Sequence, residues 1–278
     1  MIELEAHAKI NWALWVTARR PDGYHELDML MQRIALCDRL KVEEAEETAL
    51  YVDGEPSADQ GNLVLRAARA LRDETGVGRG AHIFLEKRIP ARAGLGGGSA
   101  DCAAALTALN RLWGLGLSDR SLQAIGLRLG ADVPYCLAGG LCRVRGIGEA
   151  VQCLPEGPKL HLAMERLGGG LSTADVFRAW DEDPSFPPAD APGALAALLS
   201  GDFDGLRALA HNALTAPAAR LMPEIPEKIE ALYAEGARYA QMSGSGSTVY
   251  GVFARRDEAA RAGRILGKNA IVTETMPR

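Results

Sequence analysis

Hydrophobic and polar residues alternate near the start of the chain, from residue 5 to residue 16. A period of two residues is typical of a β-strand that buries one face and leaves the other available. The pattern therefore predicts a strand with a core face and a second face that can hold chemistry. The two faces consist of Ile10, Trp12, Leu14 and Val16 on one side and Lys9, Asn11, Ala13 and Trp15 on the other.

Strand and helix patterns are interleaved along the rest of the chain. Apolar runs predict strands at residues 27–34, 40–42, 82–86, 141–144, 150–154, 238–242 and 248–253. Helical spacing and capping residues predict helices at 62–74, 100–113, 118–129, 194–199, 206–213 and 224–233, with a last helix and strand after them. Four prolines and four acidic residues within 181–193 predict an irregular surface segment. This order agrees with an α+β protein.

A glycine-rich segment stands where the predicted strand at 82–86 gives way to the helix at 100–113. Residues 90–102 contain four glycines and a serine. Backbone N–H groups at a helix start attract anions, and glycines let phosphate oxygens approach closely. The segment predicts a phosphate-binding loop, although a glycine run by itself is also typical of a flexible loop.

Better-known glycine motifs do not account for this segment. The third glycine of a dinucleotide-binding fingerprint is replaced by Ser99, and the only Gly-Lys pair, at residue 267, is followed by Asn269 instead of the hydroxyl of a Walker A loop. The H-R-D and D-F-G motifs of protein kinases do not occur. A second cluster, Met242-Ser-Gly-Ser-Gly-Ser-Thr248, lies near the end of the chain. Alone it is typical of a serine-rich turn, but two such clusters in one chain favour phosphate contact.

Composition limits the class of partner. The chain has 278 residues, of which 47% are hydrophobic and 24% charged, enough for one large or two modest soluble domains. Its 31 basic and 36 acidic residues give a net charge of −5. We therefore expect no nucleic-acid partner and no membrane partner, because no basic field attracts either one.

Cysteine usage and the N-terminus predict a cytoplasmic protein. Five cysteines are scattered without a C-x-x-C pair, which argues against a disulfide framework or a zinc site. Charged residues interrupt the apolar N-terminus, and no apolar run reaches the ~18 residues of a membrane span. We therefore expect neither a signal peptide nor a transmembrane helix.

Several segments together resemble the GHMP small-molecule kinases. The matching segments are Ala8–Asn11, Pro21–Leu27, Gly94–Asp101, Gly130–Pro134 and Ser243–Thr248. The two glycine clusters are marks of the whole family. The Tyr24-His25 turn and the Gly-Ala-Asp-Val-Pro segment are similar to a member that acts on a cytidine-linked substrate. Two positions depart from the family pattern: Ala100 replaces a common second hydroxyl, and Asn212 lacks the acidic residues that often follow it.

The resemblance implies ATP-dependent phosphorylation of the 2-hydroxyl of a cytidine-diphosphate-linked methylerythritol, on the non-mevalonate route to isoprenoid precursors. It implies that Lys9 and Asp132 are the catalytic pair, with ATP and Mg²⁺ as cofactors. Without the resemblance, a turn or helix cap explains Asp132, since Asp is common at both. The magnesium ligands stay open, because a helix N-cap explains Ser99 as well as a metal contact does.

The same resemblance implies the other site residues. The ATP-binding residues are Pro90, Ala91, Arg92, Ala93, Gly94, Leu95, Gly96, Gly97, Gly98, Ser99 and Ala100, with Gly244, Ser245, Gly246 and Ser247 packed against them. The substrate-binding residues are Asn11, Tyr24, His25, Thr173 and Phe177. Tyr24 and Phe177 are expected to stack on cytosine, and His25 to read its edge. From the sequence alone, a helix cap at Ser172 and a core position for Phe177 remain an equal alternative.

In fold, the resemblance implies two α+β domains with the active site in the cleft between them. The first, residues 1–155, is expected to be similar to the second domain of ribosomal protein S5. The second, residues 156–278, is expected to be ferredoxin-like. Alternatives are another GHMP kinase, acting on a mevalonate-type, homoserine or sugar substrate, and a nucleotide-binding module without catalysis. Both a monomer and a homodimer are compatible with the sequence.

Overall fold

The structure is a computed structural model that describes residues 1–277. The strands are β1 (Ile2–Arg19), β2 (His25–Ala45), β3 (Ala49–Val52), β4 (Glu55–Pro56), β5 (Gly80–Glu86), β6 (Leu141–Gly146), β7 (Ala150–Cys153), β8 (His161–Arg166), β9 (Tyr239–Met242), β10 (Thr248–Phe253) and β11 (Ala270–Glu274). The helices are α1 (Leu63–Thr75), α2 (Gly97–Leu112), α3 (Asp119–Leu129), α4 (Val133–Ala138), α5 (Thr173–Glu182), α6 (Ala191–Ser200), α7 (Phe203–Leu209), α8 (Thr215–Leu221), α9 (Glu224–Ala234) and α10 (Arg256–Leu266).

The chain divides into two compact units whose segments alternate along the sequence. The first unit comprises residues 1–8, 36–89 and 96–138. The second comprises residues 9–35 and 90–95, together with the chain from Gly139 onward. In each of the strands β1 and β2, one end belongs to the first unit and the other end belongs to the second unit.

In the first unit, helices cover a small sheet. The C-terminal half of β2 pairs with β5 antiparallel, β5 pairs with β3 parallel, and β3 and β4 form a hairpin. Helix α1 begins at the cap Asn62, whose side chain accepts a hydrogen bond from the Val64 backbone N–H, and ends at Gly76 in the left-handed conformation. These two residues fix the helix ends because each satisfies backbone groups that the helix itself leaves open.

Small residues let α2 pack closely against α1. Five alanines and a cysteine on α2 are buried in the core of the first unit, together with larger residues such as Leu106 and Trp113. Since alanine keeps neighbouring backbones near each other, α2 lies deep in the core. Its N-terminus is the glycine-rich segment, so the same packing fixes where that segment ends.

The second unit contains a four-stranded antiparallel sheet in the order β11-β8-β10-β9. Helix α9 packs against β9 and β10, and α10 packs against β8 and β11. The N-terminal half of β2 pairs with β6, and β6 pairs with β7. Strand β8, which no sequence pattern indicated, is an inner strand of the sheet and is fully buried at Leu162, Ala163 and Met164.

Strand β1 differs from the prediction because both of its faces are buried. Trp12, Ala13 and Trp15 are all fully buried, and Lys9 is only 4% exposed. Trp12 Nε1 donates to Gln32 Oε1 at 2.9 Å, and Trp15 Nε1 donates to His211 Nδ1 at 3.2 Å. Because both indole N–H groups are hydrogen-bonded inside the protein, burying them does not leave a polar group without a partner. The polar side chains on this face of β1 are therefore buried inside the protein.

Other elements also differ from the sequence expectation. The helix predicted at 206–213 is α7, which spans Phe203–Leu209, and the separate helix α8 follows at Thr215–Leu221. The separate strands predicted at 27–34 and 40–42 are one continuous strand, β2. Helix α4 follows Asp132 directly, where a turn was one of the alternatives. The irregular segment is shorter than 181–193, because α5 continues to Glu182 and α6 begins at Ala191.

None of the helices within residues 1–277 combines the length and apolar composition needed to cross a bilayer.

We expect the core of the first unit to respond strongly to a lost side chain on α2. Leu106 is fully buried, so Leu106→Ala should lower the free energy of unfolding by about 2–5 kcal/mol. Leu199 on α6 is 41% exposed, and Leu199→Ala should cost well under half as much. Urea denaturation of both variants measures the difference, and equal losses would contradict the assigned core.

Candidate active site

Lys9 and Asn11 form a buried polar pair on β1. Lys9 Nζ donates to Asn11 Oδ1 at 2.7 Å, and Asn11 is completely buried. Their spacing of two residues places both side chains on one face of the strand. The Lys9 backbone N–H donates to the Leu95 carbonyl at 3.0 Å, so β1 is bound directly to the glycine-rich segment. A buried ammonium requires polar partners, and this position supplies them.

The two glycine clusters touch at Gly94. Gly94 has a φ of +72°, and a Cβ placed on it would lie 2.1 Å from the Ser243 carbonyl oxygen. The Ser243 hydroxyl donates to the Gly94 carbonyl at 2.9 Å, and the Thr248 backbone N–H donates to Ala93 at 3.2 Å. A side chain at position 94 is therefore excluded by both backbone conformation and space. The sequence predicted two neighbouring loops, and the structure brings them into contact.

Asn212 fixes the second loop from behind, a role that the sequence did not reveal. Its buried amide donates to the carbonyls of Met242 at 2.9 Å and Gly244 at 2.7 Å. Its Oδ1 accepts from the Leu214 backbone N–H at 3.0 Å. One side chain thus satisfies three backbone groups of irregular structure, as buried polar groups require. The missing acidic neighbours do not affect these contacts, since only the amide makes them.

In the first unit, the start of α2 has the features of an anion site. Gly96 caps the helix in the left-handed conformation, with φ +70°, and makes no side-chain cap hydrogen bond to the first-turn N–H groups. The first N–H groups of a helix have no partner within the helix, and the helix dipole favours a negative ligand there. Ser99 lies in this first turn, so its hydroxyl belongs to the same surface.

Asp132 lies in the first unit, in the turn between α3 and α4. Its backbone carbonyl accepts from Cys136 N–H at 3.0 Å, and Val133 N–H donates to Gly130 at 3.1 Å. The turn is close to α2, because a Cβ on Gly130 would lie 3.6 Å from the Ser99 hydroxyl oxygen. Ser99 and the Asp132 turn are therefore neighbours, although 33 residues separate them in sequence.

A buried ionic cluster ties the two flanks of the glycine-rich segment together. Lys87 Nζ donates to Asp38 on β2 and, at 2.5 Å, to Asp101 on α2. The same Asp38 carboxylate accepts the backbone N–H of Ile89 at 2.8 Å. One fully buried aspartate therefore holds the chain just before Pro90, and one lysine links it to the helix just after the segment.

The cluster shifts the protonation of its members. Burial raises the pKa of Asp101 to about 7, an effect that Lys87 opposes and Asp38 reinforces. Oδ1 of Asp101 is buried with no hydrogen-bond partner among residues 1–277. Burial lowers the pKa of Lys87, but the two aspartates outweigh it and raise that pKa above the usual value.

In the second unit, a compact turn presents Tyr24. Arg20 N–H donates to the Tyr24 carbonyl at 2.8 Å, and Asp22 Oδ1 accepts from Tyr24 N–H at 3.1 Å. Gly23 has a φ of +85°, which the turn requires and which glycine adopts without strain. Tyr24 is 60% exposed, so its ring is accessible to a planar group that could stack on it.

The adjacent His25 is enclosed by one face of α5. Its ring stacks on Phe177 at 4.6 Å between centroids and 19° between planes, and meets the edge of Trp180 at 5.2 Å. His25 Nε2 lies 2.8 Å from Asp181 Oδ1. Positions 177, 180 and 181 face the same direction because they are spaced three and four residues apart on a helix. The sequence singled out His25 and Phe177 but assigned Asp181 to an irregular segment.

Thr173 connects α5 with the second loop, since its hydroxyl lies 2.9 Å from that of Ser245. Within the second unit, the predicted residues form two groups. One group consists of Lys9, Asn11, Gly94, Thr173 and Ser245, and the other consists of His25 and Phe177. The first unit holds Gly96 to Ala100 and Asp132.

One potential metal cluster lies elsewhere, at Glu5, His7 and Cys37. Their ligand atoms are all within 4.8 Å of one another. His7 already pairs with Glu5 at 3.3 Å, and burial raises the pKa of the Cys37 thiol, which disfavours the thiolate that a metal ligand needs. A side-chain contact between His7 and Glu5, beside a buried thiol, accounts for the cluster.

The chain matches two family models. Residues 62–140 match the GHMP kinases N-terminal domain, and residues 194–272 match the GHMP kinases C-terminal domain. Together with the structure, these matches confirm the α+β GHMP kinase fold expected from the sequence.

Individual relatives cover nearly the whole chain. It is similar to the 4-diphosphocytidyl-2-C-methyl-D-erythritol kinase of Desulfitobacterium hafniense, with 42% identity over 100% of this chain and 97% of the relative. The enzyme of the same name from Parvibaculum lavamentivorans is 45% identical over 94% and 92% of the two chains.

Solved structures agree with these relatives. A crystal structure of 4-(cytidine 5'-diphospho)-2C-methyl-D-erythritol kinase matches with a TM-score of 0.83 at 37% identity, over 99% of both chains. A homoserine kinase from Cytophaga hutchinsonii has a TM-score of 0.72 at 20% identity, over 100% of this chain and 96% of the other. The homoserine kinase shares the fold alone.

The contact at Gly94 predicts a selective defect. Gly94→Ala should disrupt the packing of the two loops and weaken nucleotide binding about tenfold or more, because its Cβ has no space. Gly114→Ala is the matched control, since Gly114 has a similar φ of +63° but nothing within 4 Å. Equilibrium titration with an ATP analogue measures both. Equal affinity in the two variants would contradict the steric role of Gly94.

The raised pKa of Asp101 predicts that the stability of the protein depends on pH. Since its folded pKa of about 7 lies above the usual 3.8, its stabilising contribution is full below about pH 4 and is lost as the pH rises to 7. The free energy of unfolding of Asp101→Asn, relative to the parent, should therefore rise by about 1–3 kcal/mol from pH 5 to pH 7 and then level off. Chemical denaturation across this range measures it, with the exposed Glu86→Gln as control. A difference independent of pH would refute the shift.

Proposed function

This chain belongs to the GHMP kinases and, within them, to the 4-diphosphocytidyl-2-C-methyl-D-erythritol kinases, and from this premise we propose its reaction. The protein transfers the γ-phosphoryl group of ATP to the 2-hydroxyl of 4-(cytidine 5'-diphospho)-2-C-methyl-D-erythritol, giving the 2-phosphate and ADP. The observation that carries the proposal is the 42–45% identity to enzymes of this name over nearly the whole chain.

Asp132 is the proposed proton acceptor. A loose phosphoryl-transfer transition state releases the hydroxyl proton late, so a carboxylate near the acceptor oxygen is a sufficient base. Its position at the start of a short helix beside the α2 N-terminus supports this role. Its contribution comes from placement, since an ordinary carboxylate is a weak base toward an alcohol.

Lys9 is the proposed electrostatic partner of the reaction. Its ammonium is almost completely buried, and a Cβ on Gly244 would lie 3.1 Å from Nζ, so the amine is close to the second loop. A charge held in a buried site stabilises a phosphoryl group more strongly than one in water. Asn11, bonded to this amine, is suited to orient the polyol part of the substrate.

The N-terminus of α2 is proposed to hold the ATP phosphates. Its uncapped N–H groups and the glycines before it support that assignment. When bound, magnesium neutralises the β- and γ-phosphates. The Ser99 hydroxyl would fit this ion, because it is an oxygen donor of the kind that magnesium prefers and lies beside the turn that carries Asp132.

Tyr24 and His25 are proposed to recognise cytosine. The exposed Tyr24 ring offers a stacking face, while the His25 ring offers a polar edge whose orientation is held by α5. Phe177, stacked on His25, is half-buried, and we propose that it completes the base pocket. Thr173, at the start of α5, is proposed to contact the polar part of the substrate.

We also propose a domain boundary and a cellular location. We propose the domain boundary near residue 155, which lies between the two regions matched by the family models, 62–140 and 194–272. A cytoplasmic location is inferred from five free cysteines.

An assay of the purified protein tests the reaction. With ATP, Mg²⁺ and the cytidine-linked substrate, we expect ADP formation that requires the cytidine compound. Asp132→Asn should lower kcat by about 10²–10⁴-fold, since it removes the proton acceptor. The matched control is Asp119→Asn, in the exposed first turn of α3, and it should react like the parent.

Other substrates decide between the alternatives. Faster phosphorylation of mevalonate or homoserine than of the cytidine compound would show that the proposed substrate is wrong. ATP binding without turnover of any of these substrates would instead support a module without catalysis.

A further inference from the structure

Asp181 is the polar partner of His25, and it lies in the last turn of α5. Its Oδ1 is 2.8 Å from His25 Nε2, and its Oδ2 is 3.6 Å from the Arg19 guanidinium. The His25 side chain is only 7% exposed, while that of Asp181 is 25% exposed. A buried imidazole therefore has one carboxylate partner, which is itself shared with an arginine at the surface.

This contact fixes which ring nitrogen carries the proton. A carboxylate can only accept hydrogen bonds, so Nε2 must donate. In the neutral ring, Nδ1 is then an acceptor. Phe177 covers one face of the ring and Trp180 meets it edge-on, so the ring is held in one orientation as well as one tautomer.

An acceptor nitrogen distinguishes the two pyrimidines. Cytosine carries an exocyclic amino group, which donates, at the position where uracil carries a carbonyl oxygen, which accepts. A fixed acceptor therefore favours cytosine, while uracil would place two acceptors against each other. A site built around a hydrogen bond rejects a base that cannot make it more strongly than an apolar pocket does.

We propose that Asp181 is a positioning residue that sets the specificity for cytosine by holding His25 in its Nε2–H tautomer. The inference rests on the proposed function, because it assumes that His25 faces the base of a cytidine-linked substrate. Asp181 acts through His25 and does not itself need to touch the substrate. The helix supplies the geometry, since Phe177 and Asp181 are four residues apart and share one face of α5.

Asp181→Asn tests the proposal with little change in shape. The asparagine amide can donate to Nε2 instead of accepting from it, which stabilises the opposite tautomer with Nδ1–H. The ratio of kcat/KM for the cytidine-linked substrate to that for its uridine-linked analogue should fall about tenfold or more, mainly through KM of the cytidine compound. KM for ATP should stay unchanged.

The matched control lies on the same helix. Asp175→Asn also neutralises an α5 aspartate, but Asp175 is about half exposed and pairs with Arg178 at 2.9 Å. This variant should keep the parent preference for cytosine. Asp181→Glu, which retains a carboxylate acceptor, should recover part of the preference that Asp181→Asn loses.

Nuclear magnetic resonance of ¹⁵N-labelled histidine reads the tautomer directly. His25 should show Nε2–H in the parent and in Asp175→Asn, and a shift toward Nδ1–H in Asp181→Asn. A purely structural role would lower stability without this change. An unaltered tautomer, or an unaltered base preference despite a changed tautomer, would overturn the proposal.

Equilibrium titration with CDP and UDP, without ATP, separates this inference from the proposed function. If the parent binds neither nucleotide and does not phosphorylate the cytidine compound, the proposed function is wrong. If the parent prefers CDP and Asp181→Asn retains the same preference, only the role of Asp181 is wrong. If Asp181→Asn does not fold, Asp181→Glu carries the test. Its preference for CDP over UDP should follow the fraction of His25 that keeps the Nε2–H tautomer, and a preference that is independent of that fraction would overturn the proposal.

Discussion

The carbonyl oxygen of Ser243 occupies the space where a side chain at position 94 would begin. The packing of the two glycine clusters depends on this close approach of two backbones. Gly94 has the positive φ that the turn needs, and its carbonyl accepts the Ser243 hydroxyl in return. Lys9 joins the same contact through its backbone bond to Leu95. A loop whose sequence is typical of a flexible segment is therefore held in place by its neighbours.

The other side of the loop depends on charge buried in the first unit. Asp38 holds the chain before Pro90 through backbone N–H groups, and Lys87 connects it to Asp101 at the start of α2. Leaving any one of these charges without its partners would be costly in the interior. The cluster therefore restrains the entry and the exit of the glycine-rich segment, which keeps the uncapped N–H groups of α2 in a constant position.

The proposed recognition of the base depends on one local turn and on contacts between residues that are distant in sequence. The Tyr24 turn is local, since its hydrogen bonds join residues 20 to 24. The His25 environment is not local, because Phe177, Trp180 and Asp181 come from a helix more than 150 residues later. Aromatic packing fixes the plane of the imidazole, while the Asp181 carboxylate accepts the hydrogen bond from Nε2 and so fixes which ring nitrogen donates. The local turn that presents Tyr24 is therefore visible in the sequence, whereas the contact of Asp181 with His25 is not.

The sequence by itself determined the local features: the β1 alternation, the glycine clusters, the caps of α1 and the family to which Lys9, Asp132 and Tyr24 point. Periodicity and backbone freedom act over a few residues, so they leave a direct signature. Only the tertiary structure decided the roles of Asn212, Asp38 and Asp181, and the burial of both faces of β1. Each of these depends on a partner far away along the chain. In the sequence, a polar residue in a turn or at a helix end gives the same pattern whether its side chain faces solvent or a buried amide. Its contribution to stability differs between the two cases, because that contribution is set by the groups that the fold places beside it.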